Sequence, residues 1–169
     1  MGTPYTQDDV DQLYMLIGKA VWHLQHLENI VASFTAFKIL QAKRAKGEKL
    51  SAANVAKVIE KQKEQTLGPL ISAAKSHKTI PPPLAKRFDE LLAKRNWLIH
   101  KCVTDEYLSL RNQLEKQRLF ASIDSFSEEA IALQNETHSL FEKWFIDLGY
   151  DLGKAYEHAE RQLHRAEQG

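Results

Sequence analysis

Cysteine is nearly absent from this sequence: Cys102 stands alone among 169 residues. One cysteine excludes an internal disulfide and a Cys-rich zinc site, and it suits a reducing cytoplasm. Long apolar runs are missing as well, and nothing approaches the roughly 20 residues needed to span a bilayer. The opening MGTPYTQDDVDQLY carries acidic residues where a secretory signal needs basic ones and then a long apolar core. There is no phosphate-binding glycine loop, no nucleophile elbow and no HExxH sequence. Those absences remove the commonest signs of nucleoside-triphosphate, serine-hydrolase and zinc-protease chemistry. Sequence repeats, low-complexity segments and the alternating pattern of strands are also lacking.

What is present reads as an ordinary globule. The apolar fraction is 43% and the charged fraction 27%, and the length suits one domain over residues 1–169 with a real core. A formal net charge of +1 gives no nucleic-acid signal for the chain as a whole. Its distribution is uneven: residues 1–103 hold 16 Lys+Arg against 9 Asp+Glu, whereas residues 104–169 hold 7 against 13. A basic surface for an anionic partner gives such an asymmetry, and so does a basic half packed on an acidic half.

Helical periodicity is strong. Val10, Leu13, Ile17, Ala20, Leu24, Leu27, Val31 and Phe34 recur in steps of three and four, which puts them on one face of a long helix. Thr6 is its expected N-cap, Asp8 and Asp9 complement the dipole, and Gly47 marks its end. Ser51 should cap a second helix with Val55, Val58 and Ile59 inward, interrupted at Gly68-Pro69. A short piece, LISAAKSH, follows, and then Thr79-Ile80-Pro81-Pro82-Pro83 as an extended spacer whose last proline suits a helix start. A third long helix carries Leu84, Phe88, Leu91, Leu92, Leu98, Ile99 and Cys102, with Thr104-Asp105 at its end. From Leu108 onward the pattern fits one very long helix, or two with a break near Asp124-Ser125. Gly149 and Gly153 loosen a tail that is expected to be a docking helix or partly mobile. The expected fold is all-α, an up-and-down bundle of four to five helices.

One residue breaks the pattern. The stripe Leu84, Phe88, Leu91 next lands on Arg95, before Leu98 and Cys102. An arginine there must be paired, or must face a cleft or another subunit, because an unpaired buried guanidinium is costly. Asn96 adjoins it and His100 follows one turn after Asn96. Arg95 and His100 are five residues apart, about 140° around an ideal helix. They converge only if the helix end distorts or a second copy of the helix approaches.

The segment RNWLIH, residues 95–100, resembles the signature of the HEPN superfamily: an arginine, often followed by a polar residue, and a histidine four to six residues on. The succession of long helices around it is similar to that family's architecture. The resemblance implies a HEPN-like bundle acting as a metal-independent endoribonuclease with no cofactor, its site composed across a homodimer. Arg95, Asn96 and His100 would be the catalytic set. His100 can serve as acid or base near neutral pH, and the Arg95 fork matches phosphate oxygens. Lys94 and Lys101 would position the RNA backbone, within residues 75–101 that hold seven cations against two anions. The resemblance also implies a toxin or phage-defence effector, cytoplasmic, away from membranes, and held in check by an antitoxin-like inhibitory protein. The competing expectation is a catalytically silent HEPN-like dimer serving protein interaction or nucleotide binding.

Other polar residues point less far. Trp97 suits core or interface packing better than base stacking. His23 and His26 share a helix face near Glu28 but have no third metal ligand in view. Glu28, beside Leu27, stands where it would face the same cleft as Arg95. His158 and His164 lie in a polar tail, Arg111-Asn112 repeats the RN dipeptide without the histidine, and Glu128 and Glu129 suggest no acid–base pair.

Overall fold

Each helix starts where the sequence supplies a cap or a proline. In a computed structural model, which describes residues 5–102, 104, 107–154 and 157, the elements are α1 (Gln7–Ala45), α2 (Ala52–Lys63), α3 (Leu67–Ser76), α4 (Pro82–His100), a 3₁₀ turn (Tyr107–Arg111) and α5 (Gln113–Asp147). No strand occurs among the described residues. Thr6 and Asp9 form a reciprocal capping box at the start of α1, and α1 closes at Gly47 with φ of 82°. Ser51 Oγ accepts from the Asn54 amide at 3.2 Å to open α2.

Several boundaries differ from those the sequence suggested; α4 ends at His100, short of Thr104-Asp105, and α5 begins at Gln113, later than Leu108. The break after α2 falls at 64–66, and Pro69 sits inside the first turn of α3. A proline is harmless there, because first-turn amides have no intrahelical acceptor. The helix after the proline run begins at Pro82, with Pro81 as N-cap, one residue earlier than its last proline. Of the two alternatives for the last long segment, the single helix is the one observed: Ile123 and Phe126 on either side of Asp124-Ser125 are buried, and packing outweighs weak local propensity. Thr104 donates to the Lys101 carbonyl at 3.0 Å, but the side chain that caps α5 is Asn112, whose Oδ1 accepts from Leu114 and Glu115. Asp105 and most of the segment after Gly153, including His158 and His164, lie outside the described residues.

Successive helices reverse direction. The amide of Leu67, at the start of α3, reaches Glu28 in the middle of α1, so α2 runs back along α1 from its far end. The end of α3 returns to the level of Phe34 and Lys38, α4 descends, and α5 rises again. Five alternating helices leave α1 and α5 parallel: Asp9 meets Lys116, Lys19 meets Asp124, and Phe34 meets Phe141, in the same order along both. Packing of α1 on α5 and α3, of α3 on α4, and of α4 on α5 closes a four-helix ring, with α2 outside against α1. Leu27, Val31, Leu67, Ile71, Phe88, Leu91, Ile123 and Leu133 fill the ring. Val55, Val58 and Ile59 of α2 are only half-buried, as befits a helix outside that core. No helix among the described residues is long and apolar enough to cross a membrane.

Candidate functional site at the C-terminal end of α4

Regular helix persists to His100, where the Lys101 amide bonds the Trp97 carbonyl at 2.8 Å. The stripe residues Leu84, Phe88 and Leu91 are buried. Arg95, next along it, is half-buried. Its Nη1 donates to Asn96 Oδ1 at 3.2 Å, while its Nε is buried and has no hydrogen-bond partner among the described residues. An orphaned guanidinium nitrogen is unusual, because a buried donor without an acceptor costs on the order of 1–3 kcal/mol.

Glu28 supplies the compensating field. Burial pushes its carboxyl above the ordinary range, opposed by the Leu67 amide and by the nearby positive charge of Arg95. Glu28 Oε1 accepts from Leu67 N–H at 3.0 Å. The N-cap of α3, Thr66, makes no side-chain capping bond, so a carboxylate from α1 caps α3 in its place. That placement follows the helix dipole, which favours an anion at a helix N-terminus. Glu28 thus sits between α1, α3 and Arg95, on the side that its position beside Leu27 suggested.

His100 faces elsewhere. It is exposed and lines a shallow depression of about 450 Å³ with Asn96, Trp97, Lys101 and Ala93. His100 makes no hydrogen bond or ion pair among the described residues. Asn96 is the one side chain common to both settings: it touches Arg95 and borders the depression. Within one chain, then, Arg95 joins Asn96 and the field of Glu28, and His100 joins Asn96, Trp97 and Lys101. The undistorted helix keeps Arg95 and His100 apart, so the helix-end route to convergence does not operate. Lys94 is exposed and lies outside the depression's lining. Trp97 is half-buried and packs on the core, with an edge left for the depression.

The chain matches no family model, no curated protein and no solved structure.

Residues away from this end resolve otherwise. His26 packs edge-on against Trp22 at 4.9 Å, and no group of three potential metal ligands forms among the described residues. Glu129 is no idle surface carboxylate, since Arg87 Nε donates to it at 2.9 Å and Arg87 Nη1 donates to Glu136 at 2.7 Å. Sequence reading missed that fork, although two glutamates seven apart on one helix share a face and the signal was present.

Proposed function

We propose that the protein is a metal-independent endoribonuclease of the HEPN type, with a composite site formed where two copies bring their α4 ends together. One observation carries this reading: an arginine on an apolar stripe keeps an orphaned Nε and only a neutral amide as its contact. No carboxylate among the described residues hydrogen-bonds that guanidinium, so its charge retains an attraction for an outside anion, and the residue that holds it, Asn96, also borders the depression lined by His100. Juxtaposition of two copies would supply two histidines and two arginines. One His100 removes the ribose 2′-OH proton, and the resulting oxyanion attacks phosphorus. The P–O5′ bond breaks, and the second copy's His100 protonates the departing oxygen. Arg95 stabilises the charge that builds on the phosphorane. The products are a 2′,3′-cyclic phosphate and a 5′-hydroxyl, and DNA, lacking the 2′-OH, is spared. By the same resemblance the biological role is that of a toxin or phage-defence effector restrained by an inhibitory partner protein.

The experiment incubates purified protein with total tRNA in EDTA, beside Arg95→Ala and His100→Ala, with sedimentation to fix the oligomeric state. Cleavage by wild type alone, leaving cyclic-phosphate ends, is expected. A folded dimer free of inhibitor that cuts nothing would refute it. A second reading has its own support, because Tyr14, Met15 and Trp22 are each more than 60% exposed on α1. Those exposed apolar side chains suit a protein partner, and a silent interaction module is the reading that a failure of cleavage would favour.

A further inference from the structure

A large cleft lies at the other end of α4, about 20 Å along the helix from His100. Its volume is about 800 Å³, within the range of about 300–1,000 Å³ typical of small-molecule sites. Phe34, Ile80, Leu140 and Trp144 give it an apolar floor. Its rim is cationic. Lys75 is committed to both carboxylate oxygens of Asp89 at 2.7 Å. Lys78, Lys86 and Lys143 have no ion-pair partner among the described residues, and Asp147 is the one carboxylate left beside them. Lys38 stands with Nζ 4.8 Å above the Trp144 ring and 5.6 Å from that of Phe34. Partial burial lowers its pKa, and no ion-pair partner for it occurs among the described residues.

The way Lys78 reaches the rim is itself informative. The end of α3 is a Schellman turn, in which Thr79 N–H bonds the Ala74 carbonyl and Lys78 N–H bonds that of Lys75. The turn requires a left-handed residue, and Lys78 fills that place with φ of 51°. Glycine would occupy it without steric cost, whereas a side chain there is strained by about 1 kcal/mol. The strain buys a fourth cation at the mouth of an apolar cleft.

We propose that this cleft binds a small amphiphilic anion, an apolar body bearing one phosphate or carboxylate head. The body lies on Ile80, Leu140 and Trp144, and the head meets Lys78, Lys86 and Lys143, with Lys38 beneath. A wholly polar anion leaves the floor wet, and a neutral apolar molecule leaves the lysines unanswered. The site is separate from the motif at the other end of α4, so His100→Ala leaves it intact.

Isothermal titration of the full chain with 1-naphthyl phosphate, 1-naphthoate, 1-naphthol and inorganic phosphate tests it. At least one naphthyl anion should bind about tenfold more tightly than 1-naphthol or phosphate. The double substitution Lys86→Glu with Lys143→Glu should cost that anion at least about tenfold, with the helical content by circular dichroism unchanged. Lys78→Gly should raise the thermal midpoint yet weaken binding about threefold, a pairing that a purely structural lysine would not give. Anions bound no more tightly than 1-naphthol, or affinity indifferent to the double substitution, would overturn the assignment.

Discussion

Two arginines eight residues apart on α4 are treated in opposite ways. Arg87 is paired: Glu129 accepts from its Nε and Glu136 from its Nη1, and those two bonds raise its pKa further above the ordinary arginine value. Arg95 has a neutral amide, a carboxylate that acts only through its field, and a buried Nε with no partner among the described residues. A guanidinium neutralised by two carboxylates fastens helices together and has little charge left for a ligand. One that is held but unmatched retains its attraction for phosphate at the cost of local stability. The contrast separates a structural arginine from a functional candidate without reference to any relative.

The contrast breaks most sharply in activity. Arg95→Ala should lower RNA cleavage by at least about 100-fold, or roughly 2.7 kcal/mol of transition-state stabilisation, while Arg87→Ala leaves it unchanged. Arg95→Lys should fall nearly as far as Arg95→Ala, because a point charge cannot replace the fork. Stability should show the reverse order. Arg87→Ala, which loses two half-exposed ion pairs, should cost about 1 kcal/mol in urea unfolding. Equal losses of cleavage at the two positions would erase the distinction.

Glu28 sharpens the comparison. Glu28→Ala leaves the Leu67 amide uncapped and should cost about 1–2 kcal/mol, read as a shift in urea midpoint at constant slope. The pH dependence has a sign. With its folded-state pKa raised, Glu28 contributes stability below its ordinary pKa of 4.5, and that contribution is lost as pH rises above it. Asp9 runs the other way. The hydrogen bond from Lys116 and then the Thr6 amide hold its pKa at about 2, from an ordinary 3.8. Its contribution is therefore present above pH 3.8 and lost as pH falls toward 2. Midpoints measured across pH 2–7 should lose the decline above pH 4.5 in Glu28→Gln and the acid-side loss in Asp9→Asn. The smallest effect concerns a hydroxyl with no role in either arginine's setting. Thr35 is fully buried and its Oγ1 has no partner among the described residues, so Thr35→Val should raise stability by about 1 kcal/mol, seen as a higher thermal midpoint.

Much of the architecture was legible because caps and periodicity are local. Thr6, Ser51 and Gly47 act where their residue types say they should, and six of the eight residues in the first apolar stripe are buried. Val10 and Ile17 are only half-buried. Leu16, Ala32, Ala36 and Leu40 are buried in addition, because α1 is packed by three other helices and its buried face is wider than one stripe. The oddity of Arg95 could be read from spacing alone, and so could the side of α1 on which Glu28 lies. The consequence of each could not. That Glu28 caps α3 depends on the length of α2, which sets where Leu67 returns to α1. That Arg87 takes two glutamates depends on the register of α4 against α5. The lysine-rimmed cleft was hidden for the same reason, since its parts come from α1, the end of α3, the start of α4 and the end of α5.

The parallel run of α1 and α5 has a mechanical consequence. Traction on Thr6 and Leu148 would draw two neighbouring helices past each other along a seam about 50 Å long. The Asp9–Lys116 and Lys19–Asp124 pairs and the Phe34–Phe141 and Phe37–Phe145 contacts would be sheared together instead of peeled apart one by one. An antiparallel pair pulled from adjacent ends unzips. This bundle, gripped at those two points, resists along its whole length at once.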